Sequence, residues 1–116
     1  MKTIICGSRS VTNYALLEQA IKESGFKITE VVCGMAKGAD SLGFDWATAN
    51  GIPIKEFPAD WKNLGRKAGV LRNVEMLDYA GANGCVIALH QNNSAGTKHT
   101  ISEANKRRMK VYVKVV

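Results

Sequence analysis

Apolar residues in this chain come in short runs, separated by longer stretches in which they recur at helical spacing. Lys2 to Cys6 reads as a strand that runs straight into the polar turn Gly7-Ser8-Arg9-Ser10. Thr12 or Asn13 then suits an N-cap, and Tyr14, Leu17 and Ile21 give the i, i+3, i+7 face of a helix that ends near Ser24, at Gly25. Ile28-Thr-Glu-Val-Val-Cys33 is the second strand. A second helix covers Ala39 to Asn50, with Leu42 and Trp46 at i and i+4, Asp40 or Ser41 as its N-cap, and Gly51 closing it. Ile52 to Phe57 is the third strand, with Pro53 near its start where proline interrupts least. Pro58-Ala-Asp-Trp61 breaks the chain. A third helix runs from Arg66 to Tyr79, with Val70, Val74 and Leu77 on its buried side and Arg66 and Asn73 on a separate polar face. Gly84-Cys-Val-Ile-Ala-Leu89 is the most apolar run and is expected to be central in the sheet. The polar loop His90 to Thr97, a helix from Thr97 to Met109 and a strand from Lys110 to Val115 complete the chain.

Strand and helix therefore alternate strictly, with short links, which predicts a parallel sheet covered by helices on both faces. Right-handed crossovers make this a doubly wound, Rossmann-like α/β domain of five strands. In that architecture all the strands end on one edge. The loops Gly7–Ser10, Gly34–Asp40, Pro58–Trp61 and His90–Thr97 then share a rim, where such sheets bind ligands.

The length of 116 residues suits a single domain spanning the chain, and 46% hydrophobic against 22% charged residues excludes a disordered chain. No run approaches a membrane span, and the N-terminal run is broken too early for a signal peptide. Cys6, Cys33 and Cys85 sit in apolar runs without metal-ligand spacing, so reduced, buried thiols in a cytoplasmic protein are expected. The formal charge of +6 changes the picture, because the positive residues are clustered. Lys62, Arg66, Lys67 and Arg72 lie in one acid-free stretch, and Lys98, Lys106, Arg107, Arg108, Lys110 and Lys114 are opposed only by Glu103. Such a balance suits a polyanionic small ligand or nucleic acid. For Lys106 to Lys110, a solvated surface is the expected reading.

Several residues on the predicted rim carry candidate chemistry. Gly34 and Gly38 stand between a strand and a helix, where glycine permits positive φ and close approach to the backbone. The helix start beyond them offers free N–H groups to an anion. Neither common phosphate fingerprint is present: Ala36 takes the place of the middle glycine in G-x-G-x-x-G, and no G-x-x-x-x-G-K-[ST] occurs. Arg9, just past a strand end, is placed to clamp a phosphate or to pair with an acid across the rim. Asp40 is an N-cap or, as a second reading, a ribose contact or general base. Glu56 and Asp60 compete as ribose-binding acids. Arg72 and Asn73 face a pocket or solvent. Trp61 stacks on a base or covers the sheet edge. Thr97 suits both an N-cap and a hydroxyl donor to phosphate. His90 and His99 lack partner spacing, so no metal is assigned.

Five motifs recur in order: Gly7-Ser8-Arg9, Gly34-x-Ala-x-Gly-Ala-Asp40, Phe57-Pro-Ala-Asp-Trp61, Ala68-Gly-x-x-Arg-Asn73 and Gly96-Thr97. Together they resemble the YspA-like branch of the SLOG superfamily, the Rossmannoid group that also holds the Smf/DprA and Lonely-guy proteins. The resemblance implies a strand order of 3-2-1-4-5 and a pocket for a nucleotide or nucleotide-derived ligand. It would place that ligand against Gly7, Ser8, Arg9, Gly34, Gly38, Asp40, Arg72, Asn73, Gly96 and Thr97. By family analogy it also hints at a homodimer. Lonely-guy enzymes cleave N-glycosidic bonds with a Pro-Gly-Gly-x-Gly-Thr-x-x-Glu signature. Here only Gly96-Thr97 remains of it, with Asn93-Ser94-Ala95 near the leading positions and Thr100 at the glutamate. Three functions follow: a binding module for sensing or sequestering; a nucleosidase or phosphoribohydrolase in which Asp40 supplies the carboxylate; and a nucleic-acid-binding protein of the Smf/DprA type.

Overall fold

The computed structural model describes residues 1–35, 38–65, 67–91 and 94–116; Ala36, Arg66 and Asn93, which figure in the sequence readings, lie outside these. The elements run β1 (Lys2–Gly7), α1 (Tyr14–Ser24), β2 (Glu30–Cys33), α2 (Ala39–Ala49), β3 (Ile54–Glu56), a short α3 (Trp61–Leu64), α4 (Lys67–Ala80), β4 (Cys85–His90), α5 (Ala95–Lys106) and β5 (Lys110–Val115). The five strands form one parallel sheet in the order β3-β2-β1-β4-β5.

Alternation along each strand sends side chains to two separate cores. Ile5, Val31, Cys33, Ile87 and Leu89 meet Leu17, Ala20, Leu42 and Ala47 of α1 and α2 on one face. Ile4, Cys6, Val32, Val86 and Ala88 meet Met76, Leu77 and Ala80 of α4 and Ala104 of α5 on the other. Each fully buried Ile or Leu contributes about 1.5–3 kcal/mol, so these layers hold the crossovers down. The middle position belongs to β1, not to the more apolar β4. Both strands have neighbours on either side and helices above and below, so apolar content marks an internal strand without ranking it.

Local signals explain most element ends. Asn13 caps α1, its Oδ1 accepting from Ala15 N at 3.0 Å, and Gly25 stops it with a left-handed φ of 69°. Three expectations need correction. The N-cap of α2 is Gly38, without a side-chain cap, and Asp40 and Ser41 lie inside the helix. Ser94, not Thr97, caps α5, so Thr97 sits within its first turn. On α4, Val70 is 47% exposed, and the buried side is Ala68, Asn73, Met76, Leu77 and Ala80. The same helical period fits both faces; Met76, Leu77 and Ala80 pack into the core, and Asn73 turns inward where α4 borders a cleft. No helix among the described residues is long and apolar enough to cross a membrane.

Candidate functional site

The strand order reverses between β1 and β4, with β2 and β3 to one side and β5 to the other. At such a point the loops leaving the two strands part and open a crevice. Here it is a cleft of about 610 Å³, within the size range of small-molecule sites. One side is built from the β1 loop and the start of α5, the other from Trp61 and the first half of α4.

Gly7 brings the two strand ends together. A Cβ there would stand 2.3 Å from the Leu89 carbonyl oxygen and 2.8 Å from the Ala39 Cβ, so no side chain fits. Ser8 then ties the β1 loop to β4. Its N–H donates to Leu89 O at 3.0 Å, and its hydroxyl donates to Gln91 O at 2.7 Å and accepts from Gln91 N at 2.9 Å. Ser10 Oγ donates to Gln91 Oε1 at 2.5 Å. The Ser8 hydroxyl is thus occupied in shaping the crevice. Arg9 projects at the rim, exposed, and makes no ion pair among the described residues.

On the same side as Arg9, the first turn of α5 borders the cleft through Ala95, Gly96 and Thr97. Ser94 Oγ accepts from Thr97 N at 3.5 Å and from Thr97 Oγ1 at 3.1 Å. Thr100 Oγ1 donates to Gly96 O at 3.2 Å, and Lys98 N donates to Ser94 O at 3.0 Å. The helix-start N–H groups and the positive end of the helix dipole therefore lie beside an unpaired guanidinium, an electrostatic setting suited to an anion.

Gly34 and Gly38 do not line this cleft; they pack behind it. A Cβ on Gly38 would lie 2.5 Å from Arg9 O and 2.6 Å from Ser8 O, and Ala39 N donates to Ser8 O at 3.4 Å. The start of α2 is docked on the β1 loop. Arg72 likewise acts within the protein: its Nη1 donates to Gly34 O and its Nε to Asn73 Oδ1 at 3.0 Å. Asn73, 7% exposed, keeps its amide nitrogen as a donor on the cleft wall.

Asp40 is 6% exposed and is the one carboxylate bordering the cleft among the described residues. Glu56 is exposed on β3 and Asp60 caps α3, accepting from Asn63 N at 3.2 Å; neither reaches the cleft. Burial pushes the Cys6 thiol well above its ordinary range, with the Asp40 charge adding to the rise and Arg72 opposing it. Cys33 is pushed up to about 11, mainly by burial, with Asp40 and Glu56 raising it further and a Met35 backbone hydrogen bond and Arg72 working against. At neutral pH both thiols are protonated and serve as core. All three cysteines are free and buried. Among the described residues, no group of three or more His, Cys, Asp or Glu is arranged to hold a metal.

Of the residues singled out in the sequence, Gly7, Ser8, Arg9, Asp40, Arg72, Asn73, Gly96 and Thr97 border one cleft, and Gly34 and Gly38 stand behind it. Sequence reasoning passed over Gln91 and Ser94. Ser94 carried a signal, a cap residue followed three positions later by Thr97; Gln91 holds Ser8 through its backbone and Ser10 through its side-chain oxygen, contacts that no local pattern announces.

The family model described as YspA, cpYpsA-related SLOG family matches residues 1–64. The Gene 61 protein of Mycobacterium phage D29 is 36% identical over 114 residues, covering 90% of this chain and 89% of its own length. No solved structure matches the chain significantly. The matched segment holds β1, β2, β3 and the loops that follow β1 and β2, including Gly7, Arg9 and Asp40. This chain belongs to the YspA, cpYpsA-related SLOG family.

Proposed function

We propose that the chain binds a nucleotide or nucleotide-derived ligand in the cleft between the β1 loop and α5, as a sensing or sequestering module. The observation that carries this reading is the meeting of the unpaired Arg9 with the first turn of α5 at the reversal of strand order. The Ser94 hydroxyl, which accepts from Thr97, and the Asn73 amide add donors on either side. Membership of the SLOG family is consistent with such a ligand.

A nucleic-acid surface fits less well. Lys106 pairs with Glu103 at 3.2 Å, Arg107 with Asp78 at 2.5 Å and Lys114 with Glu23 at 2.9 Å, so these cations are drawn into local pairs. The deciding experiment titrates nucleoside monophosphates and single-stranded DNA at two salt concentrations. Arg9→Ala weakens nucleotide binding by about 1.5–3 kcal/mol, as for a charge-assisted contact, while Lys106→Ala and Arg107→Ala leave it unchanged. Steeply salt-dependent DNA binding that ignores Arg9 and requires Lys106 and Arg107 would instead establish the nucleic-acid reading.

The burial of Asp40 at the cleft supports a second reading, hydrolysis of an N-glycosidic bond. Asp40 would take a proton from water as it attacks the anomeric carbon, and the base would leave with the bonding electron pair and gain a proton from solvent, to which Asp40 then returns its own. Release of free base by the wild type but not by Asp40→Asn is the outcome that favours turnover over binding alone.

A further inference from the structure

Resting on the ligand reading above, the geometry points to Trp61 as the wall on which an aromatic base stacks. The ligand then bears a nucleobase and is held in one orientation, with its phosphate at Arg9 and α5 and its base at α3 and α4.

Trp61 is 51% exposed, an unusual state for so large an apolar side chain, whereas Trp46, on α2, packs against the core. The short helix α3 holds Trp61 in place. Asp60 accepts from Asn63 N at 3.2 Å and from Asn63 Nδ2 at 3.0 Å, and Gly65 N donates to Trp61 O at 3.0 Å. The indole rests on α4 at Gly69, where a Cβ would lie 3.1 Å from its Cη2. Glycine at this position lets the ring lie close to the helix backbone. Trp61 therefore borders the cleft and does not cover the sheet edge.

The two walls of the cleft differ in chemistry. Arg9 and Ser94 present charge and a hydroxyl donor on one side; Trp61, Val70 and Met76 present apolar surface on the other. A ligand that fills both must be anionic at one end and flat and apolar at the other. Nucleoside monophosphates have that form, and base–aromatic stacking contributes enough to be measured as a tenfold or larger change.

The test uses the full chain with the four nucleoside monophosphates and ribose 5-phosphate as probes. Trp61→Ala is expected to weaken the best-bound nucleotide about 10–100-fold and to leave ribose 5-phosphate unchanged, while Trp61→Phe keeps most of the affinity. In a Trp46→Phe background, that nucleotide quenches the remaining tryptophan fluorescence and ribose 5-phosphate does not. Thermal melts of the variants establish that they remain folded, and the Trp61→Phe and fluorescence results decide the matter if Trp61→Ala does not fold. The inference is overturned, with the ligand reading intact, if Arg9→Ala weakens both kinds of probe while Trp61→Ala affects both equally or neither. Absence of Arg9-dependent binding by every probe overturns the ligand reading and this inference together.

Discussion

The turns from β2 into α2 and from β4 into α5 lie on the same edge of the sheet, yet their helix starts meet different things. At the first, Gly38 adopts φ 78° and ψ −127°, and Ala39 N donates to Ser8 O, so the helix is stopped by protein backbone. At the second, Ser94 caps the helix with its side chain, and Gly96 has nothing within 4 Å of where a Cβ would project. In sequence the first turn carries the stronger phosphate-loop signal, with two glycines beside a strand end. Glycine permits close approach whoever approaches. At Gly38 the visitor is the Ser8–Arg9 backbone, which fixes the loop that presents Arg9. The second turn, polar and poorer in glycine, is the one that borders the cleft.

The largest expected effects test this contrast through stability. Gly7→Ala forces a Cβ into the Leu89 carbonyl, and Gly38→Ala adds left-handed strain to a clash with the Ser8 and Arg9 backbone. Each is expected to destabilise the fold by about 2–4 kcal/mol, measured by urea unfolding. Gly51→Ala separates the two causes, because Gly51 also has positive φ, at 65°, but open space around it. It should lower stability by only about 1 kcal/mol. If Gly38→Ala resembles Gly51→Ala, α2 is not docked on the β1 loop and the contrast fails.

The alternation of strands and helices was legible because β-branched runs and turn residues follow one another cleanly. Strand neighbours were not: periodicity says that a strand is buried, and the 3-2-1-4-5 order came only from the family resemblance. The helix α3 escaped notice because its four residues are too few to show a period. At the site, Arg9, Asp40 and Asn73 were picked out by type and by position after strand ends. What Arg72 does was not readable, since its partner Gly34 lies 38 residues away and offers a backbone carbonyl that any residue would supply. Thr97 was mistaken for a cap because Ser94, equally suited, stands three residues earlier.

A smaller effect follows from the protonated thiol under the α2 turn. Cys33 Sγ donates to Asp40 O at 3.3 Å, and its pKa is raised from 9.0 to about 11. Between these values the unfolded chain releases the proton while the folded chain keeps it, so folding stability falls as pH rises. The decline starts near pH 9 and levels off near pH 11, by at most about 2–3 kcal/mol for this group. Urea unfolding at pH 8 and pH 10.5 should show a shallower loss in Cys33→Ala than in the wild type, although the variant is less stable at pH 8. An identical slope in both proteins would mean that the β2–α2 junction is open to solvent, contrary to the close docking described for it.

The smallest expected change in stability concerns the α5 start and sharpens the contrast most directly. Gly96 lies in the first turn of α5, is exposed, and has open space where a Cβ would be. Alanine is the better helix former and restricts the unfolded chain, so Gly96→Ala should raise stability by a few tenths of a kcal/mol and by no more than about 1. Gly96 also lines the cleft, and a ligand phosphate seated closely on the first-turn N–H groups would meet the new methyl group. Nucleotide affinity should therefore fall while stability rises, the reverse of the pattern expected where glycine serves only the fold. Thermal melts and nucleotide titrations on one preparation read both quantities. A variant that gains stability and keeps full affinity would show that the phosphate does not sit on the α5 turn, leaving Arg9 to hold it from the β1 loop.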